Sequence, residues 1–261
     1  MVNGLFNEDC VSGILSHRQK YSLVVTSPPY NAGKEYENAL SIQEYRRFAQ
    51  QWLSAVSDKL SDTGSLWLNV GYIRTGKNRA LPLTYLYYEI ATIPLVQEVV
   101  WHYEGGMAYK KRFAHRTERW MWFSKNPSKV VFNLDRIRDS SLNRTRDQRN
   151  NPSGKNPGDC WYFDRVSNNS ADKTIHPCQF PVKMIERIVL ACSDKGDEVL
   201  DPFMGSGTVG VVCKMHERNF TGYETDPAYF KVANERISRQ GKCESMWIPY
   251  TRTETEGVLW E

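Results

Sequence analysis

The chain has 261 residues, a formal net charge of +4 and 40% hydrophobic residues, the balance of a soluble globular protein long enough for one large α/β domain with an insertion. No apolar run reaches the roughly 18 residues of a membrane span, and Met1-Val2-Asn3-Gly4 lacks the basic-then-apolar pattern of a secretion signal, so the cytoplasm is the expected location. The six cysteines, Cys10, Cys160, Cys178, Cys192, Cys213 and Cys243, form no C-x-x-C pair, which points to reduced structural thiols and to no metal site.

In chain order, Gly4 to Cys10 reads as a short strand with a polar end, and Asp9 is suited to cap a brief helix from Val11. Tyr21-Ser22-Leu23-Val24-Val25 reads as a buried parallel strand. Thr26-Ser27-Pro28-Pro29-Tyr30 then stops it, because the two prolines have no N–H for a ladder and hold the backbone extended. A planar group with an amino substituent suits this loop. The Ser27 hydroxyl and the Pro28 carbonyl can accept its two hydrogens while Tyr30 stacks on its ring. Taken alone, Pro-Pro-Tyr reads first as a polyproline turn or a peptide ligand for a partner domain.

Ser41-Ile42-Gln43-Glu44 is a capping box opening a helix to about Leu60, with Tyr45, Phe48, Trp52, Val56 and Leu60 on its inner face. Thr63-Gly64 ends the helix, Ser65 to Val70 is a buried strand, Gly71 to Ala80 a polar loop, and Leu81 to Ala91 a helix. Two further strands are expected at Val96–Tyr103 and Glu118–Lys125, joined by a basic loop. A second basic stretch runs from Arg136 to Lys155 and is rich in Ser, Asn, Pro and Gly, the composition of a long loop. His102 and His115 read as satisfied polar residues. The helix Val182–Cys192 turns Met184, Ile185, Ile188 and Val189 inward.

Glu198 to Thr208 follows as strand, glycine turn and helix start, where Gly205 and Gly207 allow a ligand to approach the backbone and the helix presents unpaired N–H groups. The full G-x-G-x-x-G spacing and a Gly-Lys-Ser/Thr are both missing, which argues against dinucleotide or triphosphate binding. Phe220 to Asp226 is another strand ending in acids, about 20 residues after the glycines, where doubly wound folds hold ribose hydroxyls. A last helix spans about Pro227 to Arg239, and the tail from Gly241 gives no reading.

Together, the Ser-Pro-Pro-Tyr loop and the Asp-Pro-Phe-x-Gly-Ser-Gly-Thr loop resemble those of the DNA amino-methyltransferases, which move a methyl group from S-adenosyl-L-methionine (SAM) to an exocyclic nitrogen of cytosine or adenine. The Pro-Pro-Tyr loop comes first and the glycine loop last, as in the circularly permuted beta group, and the resemblance runs from about Leu5 to Ile237. It implies an α/β, Rossmann-like fold with a largely parallel doubly wound sheet, permuted motif order and an inserted target-recognition region. Residues 1–103 would form the catalytic half, 104–172 the hairpin and insertion, 173–240 the SAM-binding half and 241–261 a tail. Ser27, Pro28, Pro29 and Tyr30 would carry the chemistry. Asp9 would lie against the cofactor's adenine with Cys10 beside it, His176 would wall the methionine end, and Asp201, Phe203, Gly205, Ser206, Gly207, Thr208 and Glu224 would complete the SAM site. Lys110, Lys111, Arg112, Arg144, Arg146 and Arg149 would meet double-stranded DNA. The resemblance leaves room for a homodimer and a companion restriction endonuclease. Serine at position 27 favours N4 of cytosine over N6 of adenine. RNA, protein glutamine, or SAM binding without catalysis are remoter readings.

Overall fold

Runs of β-branched and aromatic residues become strands of one sheet, buried on both faces. The computed structural model describes residues 2–31, 40–76, 79–105, 110–111, 113–139, 151, 153–170 and 172–241. The first half contains β1 (Val2–Phe6), α1 (Cys10–Ser16), β2 (Tyr21–Thr26), α2 (Ile42–Lys59), β3 (Leu60–Val70), β4 (Tyr72–Gly76), β5 (Arg79–Pro82), α3 (Leu83–Ile90), β6 (Leu95–His102) and β7 (Thr117–Ser124). Two 3₁₀ turns lead to β8 (Cys160–Tyr162), α4 (Val182–Cys192), β9 (Glu198–Asp201), α5 (Thr208–Met215), β10 (Asn219–Tyr223) and α6 (Pro227–Arg239).

The large sheet has the order β1-β10-β9-β2-β3-β7-β6-β8. Every neighbouring pair is parallel except those made by β7, which runs against both β3 and β6. From β9 the chain crosses through α5 to β10 on one side, and from β2 through α2 to β3 on the other. The strand order therefore reverses between β9 and β2, and a crevice opens at their carboxyl ends, the place where such sheets bind ligands.

Side chains alternate along each strand, and the core divides accordingly. Leu23, Val25, Trp67, Trp120 and Val199 join the inner faces of α4, α5 and α6. Val24, Leu66, Leu68, Met121 and Leu200 join those of α1, α2 and α3. The expected capping box is formed: Ser41 Oγ accepts from the Glu44 N–H at 3.3 Å, and Glu44 Oε2 accepts from the Ser41 N–H at 2.8 Å.

Two expectations need correction, and one strand lies outside those expected. Gly71 to Ala80 is not a plain polar loop: β4 and β5 form an antiparallel hairpin that pairs Ile73 with Leu81, and burial of Ile73 fixes its register. Thr63-Gly64 lies within β3, because Leu60 both closes α2 through its N–H to Val56 and begins the strand. β8 was not anticipated. It is only three residues long, and its Trp161 is buried and stacks on Trp67 with ring centroids 5.6 Å apart. No helix among the described residues is long and apolar enough to cross a membrane.

Candidate active site

At the carboxyl edge of the sheet, the end of β2 and the end of β9 are tied together. Thr26 Oγ1 donates to Asp201 Oδ1 at 2.7 Å, in the buried interior and across 175 positions of sequence. Above this bond lies a cavity of about 1020 Å³. Ser27, Pro28, Pro29 and Tyr30 line one wall, and Asp201, Phe203, Gly205, Ser206, Thr208 and Glu224 line another, with His176 beside the glycine loop. The two motifs recognised in the sequence thus face a single space.

The Pro-Pro-Tyr wall is braced from three elements. Ser27 Oγ donates to Tyr30 Oη at 3.0 Å, and Tyr30 Oη donates to Asn69 Oδ1 at 2.7 Å. Because the Ser27 proton is used toward Tyr30, its oxygen lone pairs are left to act as acceptors. Tyr45, from α2, donates its hydroxyl to the Pro29 carbonyl at 2.9 Å. Glu118, at the start of β7, brings Oε2 to 3.4 Å from Tyr30 Oη. Burial, reinforced by the Glu118 charge, keeps the Tyr30 hydroxyl protonated well above its ordinary range, against the opposing pull of the Ser27 hydrogen bond.

Asn69 and Glu118 are site residues that the sequence reading passed over. A signal existed for Asn69, a fully buried amide at the carboxyl end of the apolar run Leu66-Trp67-Leu68, since a buried polar side chain implies a partner. Glu118 carried none until β7 was known to run antiparallel, which places its first residues at the same sheet edge as the last residues of β2 and β3.

On the other wall, Gly205 (φ +51°) and Gly207 (φ +76°) adopt left-handed backbone. A Cβ on Gly205 would stand 2.9 Å from His176 Nε2, so the histidine ring packs directly on the loop. Gly207 does not line the cavity; it caps α5 and sits against Ala233. The Glu224 carboxylate shapes the loop, with Oε2 accepting from the Gly205 N–H at 2.8 Å and Oε1 from the Asp226 N–H at 2.9 Å. Burial raises the Glu224 pKa despite these two bonds. His176 is pushed down to about 4 by burial and by Lys173, and is a neutral ring edge-on to Tyr229 at 4.6 Å.

Asp9 and Cys10 sit near this wall without lining it. Asp9 is exposed, and its Oδ1 accepts from the N–H groups of Val11 and Ser12 as the cap of α1. Cys10 is buried, its thiol pushed up to about 12 by burial, and so unreactive. The closest link is Asn7, whose amide donates to the Glu224 carbonyl at 2.7 Å. Lys110 and Lys111 are exposed on the β6–β7 connection, whereas Arg112, Arg144, Arg146 and Arg149 lie outside the described residues.

Burial raises the Asp201 pKa from 3.8 to about 7, with the Glu224 charge adding to the effect and the bonds from Thr26 and Phe203 opposing it. Between those values the folded chain keeps a proton that the unfolded chain has released, so stability falls as pH rises through this window and levels off above it. Asp201→Asn keeps an acceptor for Thr26 and removes the titration. The variant should gain on the wild type from the lower to the upper end of the window, by on the order of a few kcal/mol. Urea unfolding of both proteins at the two ends checks this; a constant difference would show that Asp201 titrates normally.

The family model described as DNA methylase matches residues 21–235, a span that includes both loops. The chain is 39% identical over 235 residues to the type II methyltransferase M.ScaI of Streptomyces caespitosus, covering 86% of this chain and 77% of that one. The solved structure of PvuII DNA methyltransferase (cytosine-N4-specific) matches with a TM-score of 0.72 at 20% identity, over 90% of this chain and 86% of that one. The SAM complex of M1.HpyAVI matches with a TM-score of 0.64 at 22% identity, over 91% and 99%. These two likenesses concern the fold. The match across the span holding both loops, with the identity to M.ScaI, establishes that the chain belongs to the N4/N6 amino-methyltransferase family of DNA methylases.

Proposed function

We propose that the protein transfers the methyl group of SAM to the exocyclic amine of a base flipped out of duplex DNA, with N4 of cytosine as the target. The observation that carries this reading is that the Ser27–Tyr30 loop at the end of β2 and the glycine loop at the ends of β9 and β10 line one cavity. The glycine-loop side fits SAM. Each Glu224 oxygen takes one backbone N–H and retains acceptor capacity for a ribose hydroxyl, and the missing Cβ at Gly205 lets a ligand lie close to the backbone. Phe203 and the neutral His176 ring add apolar surface. When bound there, SAM would supply an electrophilic methyl group, its S–CH3 bond breaking to leave the neutral thioether S-adenosyl-L-homocysteine while the methylated amine releases one proton to solvent.

The other wall prepares the nucleophile. An aromatic amine attacks poorly because its lone pair is delocalised into the ring. Ser27 Oγ and the Pro28 carbonyl, each accepting one N–H, draw the nitrogen toward a tetrahedral shape and direct its lone pair to the opposite wall. Tyr30 holds the ring by stacking, with its own tilt fixed by Asn69. The base must leave the helix, since its amine is out of reach inside the duplex. Serine at position 27 supports cytosine, on the resemblance to N4-cytosine enzymes; N6 of adenine is the alternative, presenting the same amine beside a ring nitrogen.

Ser27→Ala removes one of two acceptors and leaves Tyr30 Oη without its donor, so the single-turnover rate should fall on the order of tenfold with SAM affinity unchanged. A loss confined to SAM affinity would take Ser27 out of the amine site. The function is tested by nucleoside analysis of DNA from cells expressing the protein. N4-methylcytosine is the expected product, N6-methyladenine would move the target base and leave the mechanism in place, and unmodified DNA would refute the reading.

A further inference from the structure

The acids around the cavity raise a question that the two motifs do not answer. Glu104, Glu118, Asp201, Glu224 and Asp226 line it, yet a flipped nucleotide arrives with a backbone phosphate on each side of its sugar. Among the described lining residues, only Arg165 and Lys173 are lysine or arginine. Lys173 serves the glycine-loop side, donating through Nζ to the His176 carbonyl at 2.6 Å. Arg165 follows β8 and lies beside the end of β6, with its guanidinium carbon 4.7 Å from the centroid of the Tyr103 ring.

We propose that Arg165 holds a DNA backbone phosphate beside the flipped nucleotide, an inference that rests on the function proposed above. The side chain is exposed and lies between anchored neighbours. Just before it, the buried Phe163 is pinned to β6, its N–H donating to the His102 carbonyl at 3.2 Å and its carbonyl accepting from Trp101 Nε1 at 2.7 Å. At the far end Tyr103 is buried, edge-on to Trp101 at 5.2 Å, and donates its N–H to the Arg116 carbonyl at 3.0 Å. The guanidinium carbon lies over the Tyr103 ring, a cation–π contact that spends no hydrogen bond. The guanidinium N–H donors lie in its plane, in the fork that matches two phosphate oxygens. A surface arginine ordered before binding loses less entropy when the phosphate arrives.

The test uses purified full-length protein, SAM, and a short fluorescent duplex carrying the site that the wild type methylates in cells. Arg165→Ala should weaken duplex binding on the order of tenfold at low salt and make the logarithmic salt dependence shallower by about 0.9. Calorimetric SAM affinity should stay as in the wild type. Arg165→Lys should restore the salt slope, because charge returns, and only part of the affinity, because the planar fork does not. An Arg165→Ala slope equal to that of the wild type would overturn the proposal, as would a fall in SAM affinity, which would assign the guanidinium to the methionine carboxylate. If the wild type itself binds no duplex DNA, the proposed function fails. Wild-type binding with an unaltered Arg165→Ala slope removes Arg165 alone.

Discussion

Replacing Tyr30 with Ala should lower single-turnover methyl transfer by roughly 5- to 150-fold, the equivalent of the ~1–3 kcal/mol that one base–aromatic stack contributes, while SAM affinity stays close to that of the wild type. The separation follows from the geometry, since Tyr30 belongs to the wall built by β2 and β3 and Glu224 to the wall built by β9 and β10. Tyr30→Phe keeps the ring but removes the acceptor for Ser27 and the donor to Asn69, so its activity should fall between the two. Quench-flow methyl transfer alongside calorimetry reads both quantities. Full activity in Tyr30→Ala would remove the stacking role.

Glu224→Ala should cost SAM about 1.5–3 kcal/mol of binding, the range for a hydrogen bond to a charged acceptor. The loss has two sources. The carboxylate would contact the ribose, and it also holds the Gly205 and Asp226 N–H groups, so the variant loses loop order as well as a ligand contact. Glu224→Gln separates them, because its one carbonyl oxygen can keep only one of the two backbone bonds at full strength. Intermediate affinity for the Gln variant is expected by calorimetry. Wild-type affinity in the Ala variant would exclude Glu224 from the cofactor site.

The parts of this architecture that the sequence disclosed are those where chemistry is local. The Ser41 capping box, the inward face of α4 and the glycine turn before α5 each follow from residues a few positions apart, and each is present. What stayed hidden depends on distant partners. β8 is three residues whose stability comes from Trp161 meeting Trp67 across the core, and no propensity window detects that. Glu118 joins the site because β7 is inserted antiparallel between β3 and β6, a feature of sheet order. For Asp9, the capping role that its spacing allowed is the one its carboxylate performs.

In the function proposed here, the Ser27–Tyr30 wall presents an exocyclic amine to a methyl group delivered from the glycine-loop wall. Its most direct test is single-turnover reaction of the purified protein with duplex DNA and SAM carrying a deuterated methyl group, followed by mass spectrometry of the digested nucleosides. The label is expected on the exocyclic nitrogen, as N4-methylcytosine, with strongly reduced yield in Tyr30→Ala. Label on a ring carbon, as 5-methylcytosine, would contradict the proposed function, because that reaction needs a nucleophile attacking the ring and none of the groups on this wall would be performing the role assigned to it.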